Sequence, residues 1–271
     1  MKFVLVLLCV CTAFSQRNIV KGTFKSNRLI NFQTTEQPYK NTFEFIVGHR
    51  FGDTYSGVKD FFGLDFGAST YLGFDFGLTN SIQIGLGRLN FGKTYAFNGK
   101  MRLLRQRRKG GAPLSVSLYS VFNMRTQDNN EENLMLIQPL ISHKLNKQFS
   151  VQLSPFFIQR FENTDRQIGA QSVYGFGLSG RVKVSKRTTL VAEGSFVLNR
   201  DEYNKNTIDN DKRELNTYSL AYNIEAAGHT FQVILSNTQE ISTIRSLMGT
   251  NTDIGERHFY LGFNMTRLFT F

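Results

Sequence analysis

The sequence predicts an all-β protein: a transmembrane, antiparallel, up-and-down β-barrel of about 12 strands. Apolar and polar residues alternate along many short segments, and the connections between these segments alternate between short and long. The last segment is amphipathic and ends on Phe271. Strict alternation gives a β-strand one apolar and one polar face. Short turns on one rim, long loops on the other and an even strand number are typical of bacterial outer-membrane barrels.

The composition agrees with this fold class. The chain has 271 residues and a formal net charge of +11, with 26 Phe, 10 Tyr, 23 Gly, 4 Pro and no Trp. An aromatic content of 13 % excludes intrinsic disorder, which needs few aromatic residues. A helical soluble domain is disfavoured because Phe, Tyr and Gly are mediocre or poor helix formers.

Residues 1–15 have the pattern of a secretory signal peptide: a basic residue, an apolar run over 3–10 and a small-x-small site ending at Ser15. The apolar run is too short to span a bilayer, so we expect export and cleavage rather than a membrane anchor. Cys9 and Cys11 both lie in this segment. The mature chain is therefore expected to have no disulfide and no thiolate metal site.

The mature chain divides into an arm and a barrel. Residues 16–41 are basic and polar and lack the alternation, so we expect a periplasmic N-terminal arm, with entry into the barrel lumen as an alternative. Residues 42–271 are expected to form the outer-membrane barrel. The alternation predicts strands at 42–51, 70–78, 81–89, 93–104, 113–124, 133–144, 149–161, 172–184, 189–199, 217–226, 229–238 and 258–271.

Connection lengths orient the predicted barrel, with the chain termini and short turns in the periplasm and the long loops outside. Two connections break the rhythm, because 90–92 is short where a long loop is expected and 105–112 is long where a tight turn is expected. A soluble sandwich or a secreted barrel is the alternative. The short connections are 79–80, 145–148, 185–188 and 227–228, and the long polar ones are 52–69, 162–171, 200–216 and 239–257.

The last strand favours the membrane barrel over the soluble alternative. A soluble sandwich has no reason to place a row of apolar side chains on an exposed edge strand. Closure on the first strand removes that edge, and lipid accepts the apolar face. A terminal amphipathic strand that ends in an aromatic residue resembles the signal read by the barrel-assembly machinery, which we expect as a partner through Phe271. The apolar face is formed by Phe259, Leu261, Phe263, Met265, Phe269 and Phe271.

Several stretches resemble an uncharacterised family of Gram-negative outer-membrane β-barrels, a domain of unknown function. The resemblance spans nearly the whole mature chain and implies export and a single barrel. It implies no assigned activity, so no catalytic or binding residue is carried over. The stretches are Thr23-Phe24-Lys25, Arg28-Leu29-Ile30-Asn31, Glu44 to Gly52, Phe61-Phe62-Gly63-Leu64-Asp65, Leu78 to Arg88, Lys93-Thr94-Tyr95, Leu103-Leu104-Arg105-Gln106 and Gly262 to Phe269.

The polar strand faces are expected to line the lumen, which would then carry charges of both signs. Barrels of about eight strands are filled by side chains and those of about sixteen leave a channel, so 12 strands leave both a narrow pore and a plugged lumen open. Pairing apolar residues of strands 8 and 9 predicts an ion pair between Arg181 and Glu193. The lumen-lining candidates are Glu44, Arg50, Asp75, Lys100, Arg102, Arg181, Lys183, Glu193 and Glu225.

The sequence predicts no catalytic residue, no metal site and no cofactor. Ser142-His143 is suggestive of a hydrolase, but neighbouring residues of a strand face opposite sides. Asp209-Asn210-Asp211 is interpreted as a solvated loop, because a Ca²⁺ loop needs more oxygen ligands and a bidentate acid at set spacing. The basic segment 105–109 is assigned to a periplasmic turn that faces peptidoglycan or a partner, and no nucleic acid is expected.

Two functions remain open at this point. The first is a narrow, porin-like channel for small hydrophilic solutes, which the polar inner face of mixed charge favours. The second is a closed structural or accessory barrel that docks an unidentified envelope protein through the arm, the basic turn or the long loops. The histidine positions argue against a third, a lipid-modifying enzyme. Outer-membrane lipid and lipopolysaccharide are the expected surroundings.

Overall fold

A computed structural model describes residues 18–127, 132–162, 172–205 and 213–271. Twelve antiparallel strands form a closed barrel in which each strand pairs with its neighbours in sequence and the last strand pairs with the first. The predicted fold class is confirmed. The strands are β1 (Thr42–Asp53), β2 (Ser69–Gly77), β3 (Ile82–Leu89), β4 (Thr94–Leu104), β5 (Ser115–Arg125), β6 (Glu132–Lys144), β7 (Phe149–Glu162), β8 (Ser172–Lys183), β9 (Thr188–Val197), β10 (Thr217–Ala226), β11 (His229–Ser236) and β12 (Tyr260–Thr270).

The strand boundaries follow the predicted alternation, with ends that differ by at most two residues. The expected signal peptide at 1–15 and the Asp209-Asn210-Asp211 segment lie outside the described residues. Strand β2 illustrates the pattern, since Leu72 and Phe74 are exposed on the outer face whereas Tyr71 and Asp75 are buried on the inner face. An apolar outer face and a more polar inner face are what a barrel surrounded by lipid requires.

The barrel has two different ends. The end that carries Thr42, Thr270 and the short turns is called the terminal rim, and the opposite end is called the loop rim. Two short helices, α1 (Arg200–Lys205) and α2 (Thr243–Met248), belong to connections at the loop rim. None of the helices among the described residues is long and apolar enough to cross a membrane.

Closure between β1 and β12 buries the backbone edges of both strands. Phe43 pairs with Phe269 in the register, and their rings stack with centroids 4.6 Å apart. The outer face of this seam therefore carries aromatic contacts of the kind that stabilise antiparallel pairs. Each described strand is paired on both sides, so this sheet offers no free edge to a strand of another chain.

The predicted ion pair between Arg181 and Glu193 is wrong. Arg181 lies opposite Val191 and Glu193 lies opposite Ser179. The turn between β8 and β9 is tighter than expected, because the Val184 N–H donates to the Thr188 carbonyl at 3.0 Å. The apolar pattern determines which side chains face outward, but a shift of two residues leaves that pattern unchanged. The sequence therefore could not distinguish the two registers.

Candidate functional site in the barrel lumen

The lumen-lining candidates occupy two levels of the barrel. Six of the candidates are buried charged residues of the wall: Glu44, Arg50, Asp75, Lys100, Arg181 and Glu193. Arg160 of β7 is buried as well and was not among the predicted residues. Arg102 is buried close to the terminal rim, where it donates to the Asn80 carbonyl at 2.7 Å. Lys183 and Glu225 are partly exposed at the same rim. The wall thus presents both signs of charge to whatever lies inside.

The N-terminal arm lies inside the barrel. Residues 23–35 are mostly buried, and they include the apolar side chains Phe24, Leu29, Ile30 and Phe32. Of the two positions considered for the arm, periplasmic or luminal, the structure places this part in the lumen. The arm ends where β1 begins, at Thr42. This is the covalent connection between the segment inside the barrel and the barrel wall.

The innermost part of the arm is a tight turn, residues 29–32, held by the Leu29 N–H to the Phe32 carbonyl at 2.8 Å. This turn points three successive backbone N–H groups at one carboxylate. Glu193 accepts hydrogen bonds from Ile30 at 3.2 Å, Asn31 at 2.8 Å and Phe32 at 3.1 Å. Successive N–H groups in a turn form a concave anion-binding nest. A wall carboxylate therefore fixes the tip of the arm.

A second contact resolves a repulsion in the wall. Glu44 and Asp75 are direct partners across β1 and β2, and like charges placed opposite each other destabilise a strand pair. Asn27 of the arm bonds to both, through its backbone N–H to Glu44 at 3.1 Å and its side-chain amide to Asp75 at 2.5 Å. Lys100 donates to the Asn27 side chain and to the Glu36 carbonyl, the latter at 2.9 Å.

Two arginines join the arm to the rest of the lumen. Arg50 of the wall donates to the Asn31 side chain at 2.9 Å and to Asn264 at 3.1 Å. Arg28 of the arm donates to the Ile241 carbonyl at 2.5 Å, and its guanidinium lies 4.7 Å from the centroid of the Tyr71 ring. Each guanidinium is therefore bonded within the barrel, as a buried charge requires.

Uncharged polar side chains bind the backbone of the arm. Gln152 accepts from the Thr35 N–H at 3.2 Å and donates to the Gln33 carbonyl at 2.7 Å. Gln232 donates to the Leu29 carbonyl at 2.5 Å. These residues replace the strand partners that the arm lacks, which buried backbone groups need. Neither glutamine was among the predicted lumen-lining residues, although the inward position of both in alternating strands was the available signal.

The first part of the described arm is held at the terminal rim. Arg181 donates to the carbonyls of Gly22 and Thr23 at 2.9 and 2.8 Å, instead of pairing with Glu193. Lys25 and Glu225 form an ion pair at 2.5 Å. Ile19 forms an antiparallel bridge with Arg107, so the arm also pairs with the long turn at 105–112.

The connection that contains α2 folds inward and covers the arm on the loop-rim side. Every residue of α2 is buried, and Ile244 and Leu247 have no exposed surface. Thr243 donates to the Asn31 carbonyl at 2.7 Å, and Ser195 of β9 donates to the Leu247 carbonyl at 2.6 Å. Burial, together with the nearby Arg125, lowers the pKa of Arg245 to about 10, so this guanidinium remains charged at neutral pH.

Part of the wall that faces α2 is apolar. Leu134 and Leu136 of β6 point inward and pack in one cluster with Phe32 of the arm and with Ile244 and Leu247. Ile137 of the outer face is apolar too, so β6 carries apolar side chains on both faces. The lumen therefore combines the polar contacts of the arm with an apolar cluster beside α2.

Two cavities remain near the ends of the described part of the barrel, and one of them lies beside the arm. The larger, about 180 Å³, opens at the terminal rim and is lined by Lys25, Ser26, Glu44 and Glu225 among others. A smaller one, about 20 Å³, lies near the loop rim between Asn123 and Ser242. The first cavity separates the arm from β11 and β12 at the rim.

Ser142 and His143 lie on different faces of β6. The Ser142 hydroxyl contacts the Thr35 hydroxyl inside the lumen at 2.5 Å. The His143 ring contacts the Pro113 carbonyl at 2.9 Å and the Gln106 amide at 3.3 Å. Nucleophilic catalysis needs the nucleophile and its base within hydrogen-bond reach, and these partners lead each side chain elsewhere.

A family model described as a membrane-bound β-barrel domain, DUF5777, matches residues 24–269. The chain belongs to this family. The match includes most of the arm as well as the wall, so the arm is part of the DUF5777 domain. No curated protein matches the chain in sequence.

Two solved structures with a similar fold are outer-membrane channels. The NanC porin superposes with a TM-score of 0.52 at 10 % identity, covering 83 % of this chain and 98 % of the porin. The COG4313 outer membrane channel from Pseudomonas putida F1 superposes with a TM-score of 0.52 at 13 % identity, covering 86 % and 97 % of the two chains. At these identities the likeness concerns the fold alone. This DUF5777 protein is therefore a membrane β-barrel built like small outer-membrane channels.

Proposed function

We propose that the protein is an outer-membrane channel for small hydrophilic solutes, exported with cleavage of its signal peptide, and that the N-terminal arm closes its lumen at rest. The observation that carries the proposal is the chemistry of the wall around the arm. Six buried charged side chains line this part of the lumen, and the arm supplies a hydrogen-bond partner to each of them.

A lumen that only needed to be sealed could be filled by apolar side chains at a lower cost in free energy. Burying charges is costly unless each is paired, and apolar side chains of similar volume are often as stable. Charged wall residues become favourable when the lumen is also filled by water, because water then replaces the arm as their partner. In the proposed open state, water would replace the arm as the hydrogen-bond partner of Glu193 and Glu44.

The wall charges also predict the selectivity of the open state. The nine candidate residues comprise five cations and four anions, so we expect only a weak preference for anions. The proposal assigns no catalytic role to the protein, and the separate partners of Ser142 and His143 support that part of it.

A reversible lock on the arm tests the proposal. The Thr35 and Ser142 side-chain oxygens are 2.5 Å apart, so Thr35→Cys/Ser142→Cys places two sulfurs within bonding reach between the arm and β6. Single-channel conductance of the refolded chain in a planar bilayer is the measurement. Thr35→Cys alone is the matched control, because it cannot form the intramolecular bond.

We expect openings in the wild type and in the reduced double variant, and silence in the oxidised double variant. Oxidised and reduced forms that conduct alike would contradict the arm as the gate. A wild type that is folded but silent under all conditions would favour the second candidate, a closed barrel that docks an envelope partner. The burial of both the arm and α2 is the observation that favours this second candidate.

A further inference from the structure

Charge is distributed unevenly between the two rims. At the terminal rim, the exposed cationic side chains far outnumber the described acidic ones, which are Glu36 and Glu225. Glu225 is paired with Lys25, and Glu36 accepts the Thr23 N–H at 3.1 Å. At the loop rim, cations and acids are interspersed. The exposed cations of the terminal rim, called here the basic ring, are Lys21, Lys25, Lys40, Arg108, Lys109, Lys147, Lys186, Arg187 and Arg267.

The basic ring lies where the apolar outer face of the barrel ends. Lys147 follows the exposed Leu145 in the turn from β6 to β7. Lys186 and Arg187 follow the exposed Val184 in the turn from β8 to β9. In a membrane barrel the boundary of the apolar band is the level of the lipid headgroups.

Arg267 locates that level on β12. It belongs to the lipid-facing row of this strand, and its guanidinium lies 4.7 Å from the centroid of the Phe269 ring. An arginine on the apolar face is tolerated when its aliphatic part covers apolar surface and its charged end reaches the interface. The guanidinium of Arg267 is therefore at headgroup depth.

The cations are spread around the circumference rather than gathered on one side. They occur in the turns after β4, β6 and β8, on β12 and at both ends of the arm. A protein partner would contact one compact patch, whereas the lipids that surround a barrel contact all of its perimeter. We propose that the basic ring binds the phosphate groups of anionic phospholipids in the leaflet that meets the terminal rim.

This proposal does not depend on whether the lumen conducts. Its test is the selectivity of the lipid shell around the protein, reconstituted in phosphatidylcholine bilayers with spin-labelled phosphatidylglycerol or spin-labelled phosphatidylcholine. We expect phosphatidylglycerol to be preferred about fivefold at low salt, as expected for cations close to an anionic surface. The preference should collapse near 1 M salt, where the Debye length is about 3 Å.

The ring variant Lys147→Gln/Lys186→Gln/Arg187→Gln/Arg267→Gln should lose most of this preference. The matched control, Lys59→Gln/Lys93→Gln/Lys205→Gln/Arg257→Gln, removes the same charge at the loop rim and should keep it. The proposal would be overturned if the wild type bound labelled phosphatidylglycerol and labelled phosphatidylcholine equally well. It would also be overturned if both variants lost the preference for phosphatidylglycerol to the same extent. Binding of the wild type to purified peptidoglycan without any lipid preference would instead assign the ring to the cell wall. If the ring variant does not fold, the salt dependence of the wild type decides.

Discussion

Glu193 of β9 and Asn31 of the arm are joined by a hydrogen bond from the Asn31 N–H to the carboxylate, 2.8 Å long. The same carboxylate also accepts from Ile30 and Phe32. One wall carboxylate therefore binds three successive backbone N–H groups at the tip of the segment that fills the lumen. We expect the strength of these contacts to contribute to how readily the arm can leave.

Glu193→Gln should loosen the arm without opening the barrel wall. The amide keeps one acceptor oxygen and turns an N–H₂ group toward backbone donors, so at least one buried N–H loses its partner, at about 1–3 kcal/mol. Amide hydrogen exchange at residues 30–32 should accelerate by about tenfold to a hundredfold. Glu214→Gln, an exposed change at the loop rim, is the control. Unchanged exchange at 30–32 would contradict the role of Glu193.

Lys100→Met should destabilise the whole barrel. The variant leaves Glu44 and Asp75 opposite each other without the cation that lies near both. Breaking a buried charge arrangement in this way costs about 3–5 kcal/mol. Urea unfolding followed by circular dichroism measures the loss.

The double variant Lys100→Met/Asp75→Asn should recover part of the lost stability, because it also removes one of the two facing carboxylates. Lys183→Met, at a partly exposed inward position of the terminal rim, serves as the comparison and should change stability little. If the double variant is less stable than Lys100→Met, the repulsion between Glu44 and Asp75 is not what Lys100 relieves.

Leu247→Ala should release α2 from the lumen. Leu247 is fully buried in the cluster with Ile244 and Phe32, and truncation of a buried leucine costs about 2–5 kcal/mol. Trypsin cleavage after Arg245, which is buried in α2, reports this release and should become at least tenfold faster. Leu198→Ala is the matched control because Leu198 is 65 % exposed. Equal cleavage rates in the two variants would mean that α2 is not held by apolar packing.

Gly85→Ala should disturb the acidic part of the lumen. A methyl group at Gly85 would collide with the Asp75 carboxylate and the Asn98 amide, which themselves bond at 3.0 Å. Overpacking of this kind costs about 1–3 kcal/mol. On the paired strand, a methyl group at Gly99 has only the Gln83 carbonyl nearby, at 3.8 Å. Thermal unfolding should show a lower melting temperature for Gly85→Ala than for the control Gly99→Ala. A Gly85→Ala variant with unchanged stability would show that Asp75 can move.

Several local features could be predicted from the sequence because they depend on neighbours along the chain. Alternation along β2 and β8 determines which side chains meet lipid, and this holds whatever fills the lumen. The register of Arg181 and Glu193 could not be predicted, since it depends on the length of one turn and a shift of two residues keeps the same faces outward. The bridge between Ile19 and Arg107 gives the long 105–112 turn a partner that lies far away in sequence.

The sequence by itself determined the closed antiparallel wall, its outer face and most of the charged residues that point inward. Only the tertiary structure decided what those charges contact, because the arm reaches them from distant positions in the chain. Asn27 meets Glu44 and Asp75, and Asn31 meets Glu193, through bonds that no local pattern encodes. Periodicity records whether a side chain faces inward, whereas its partner is set by the three-dimensional path of a segment without regular structure.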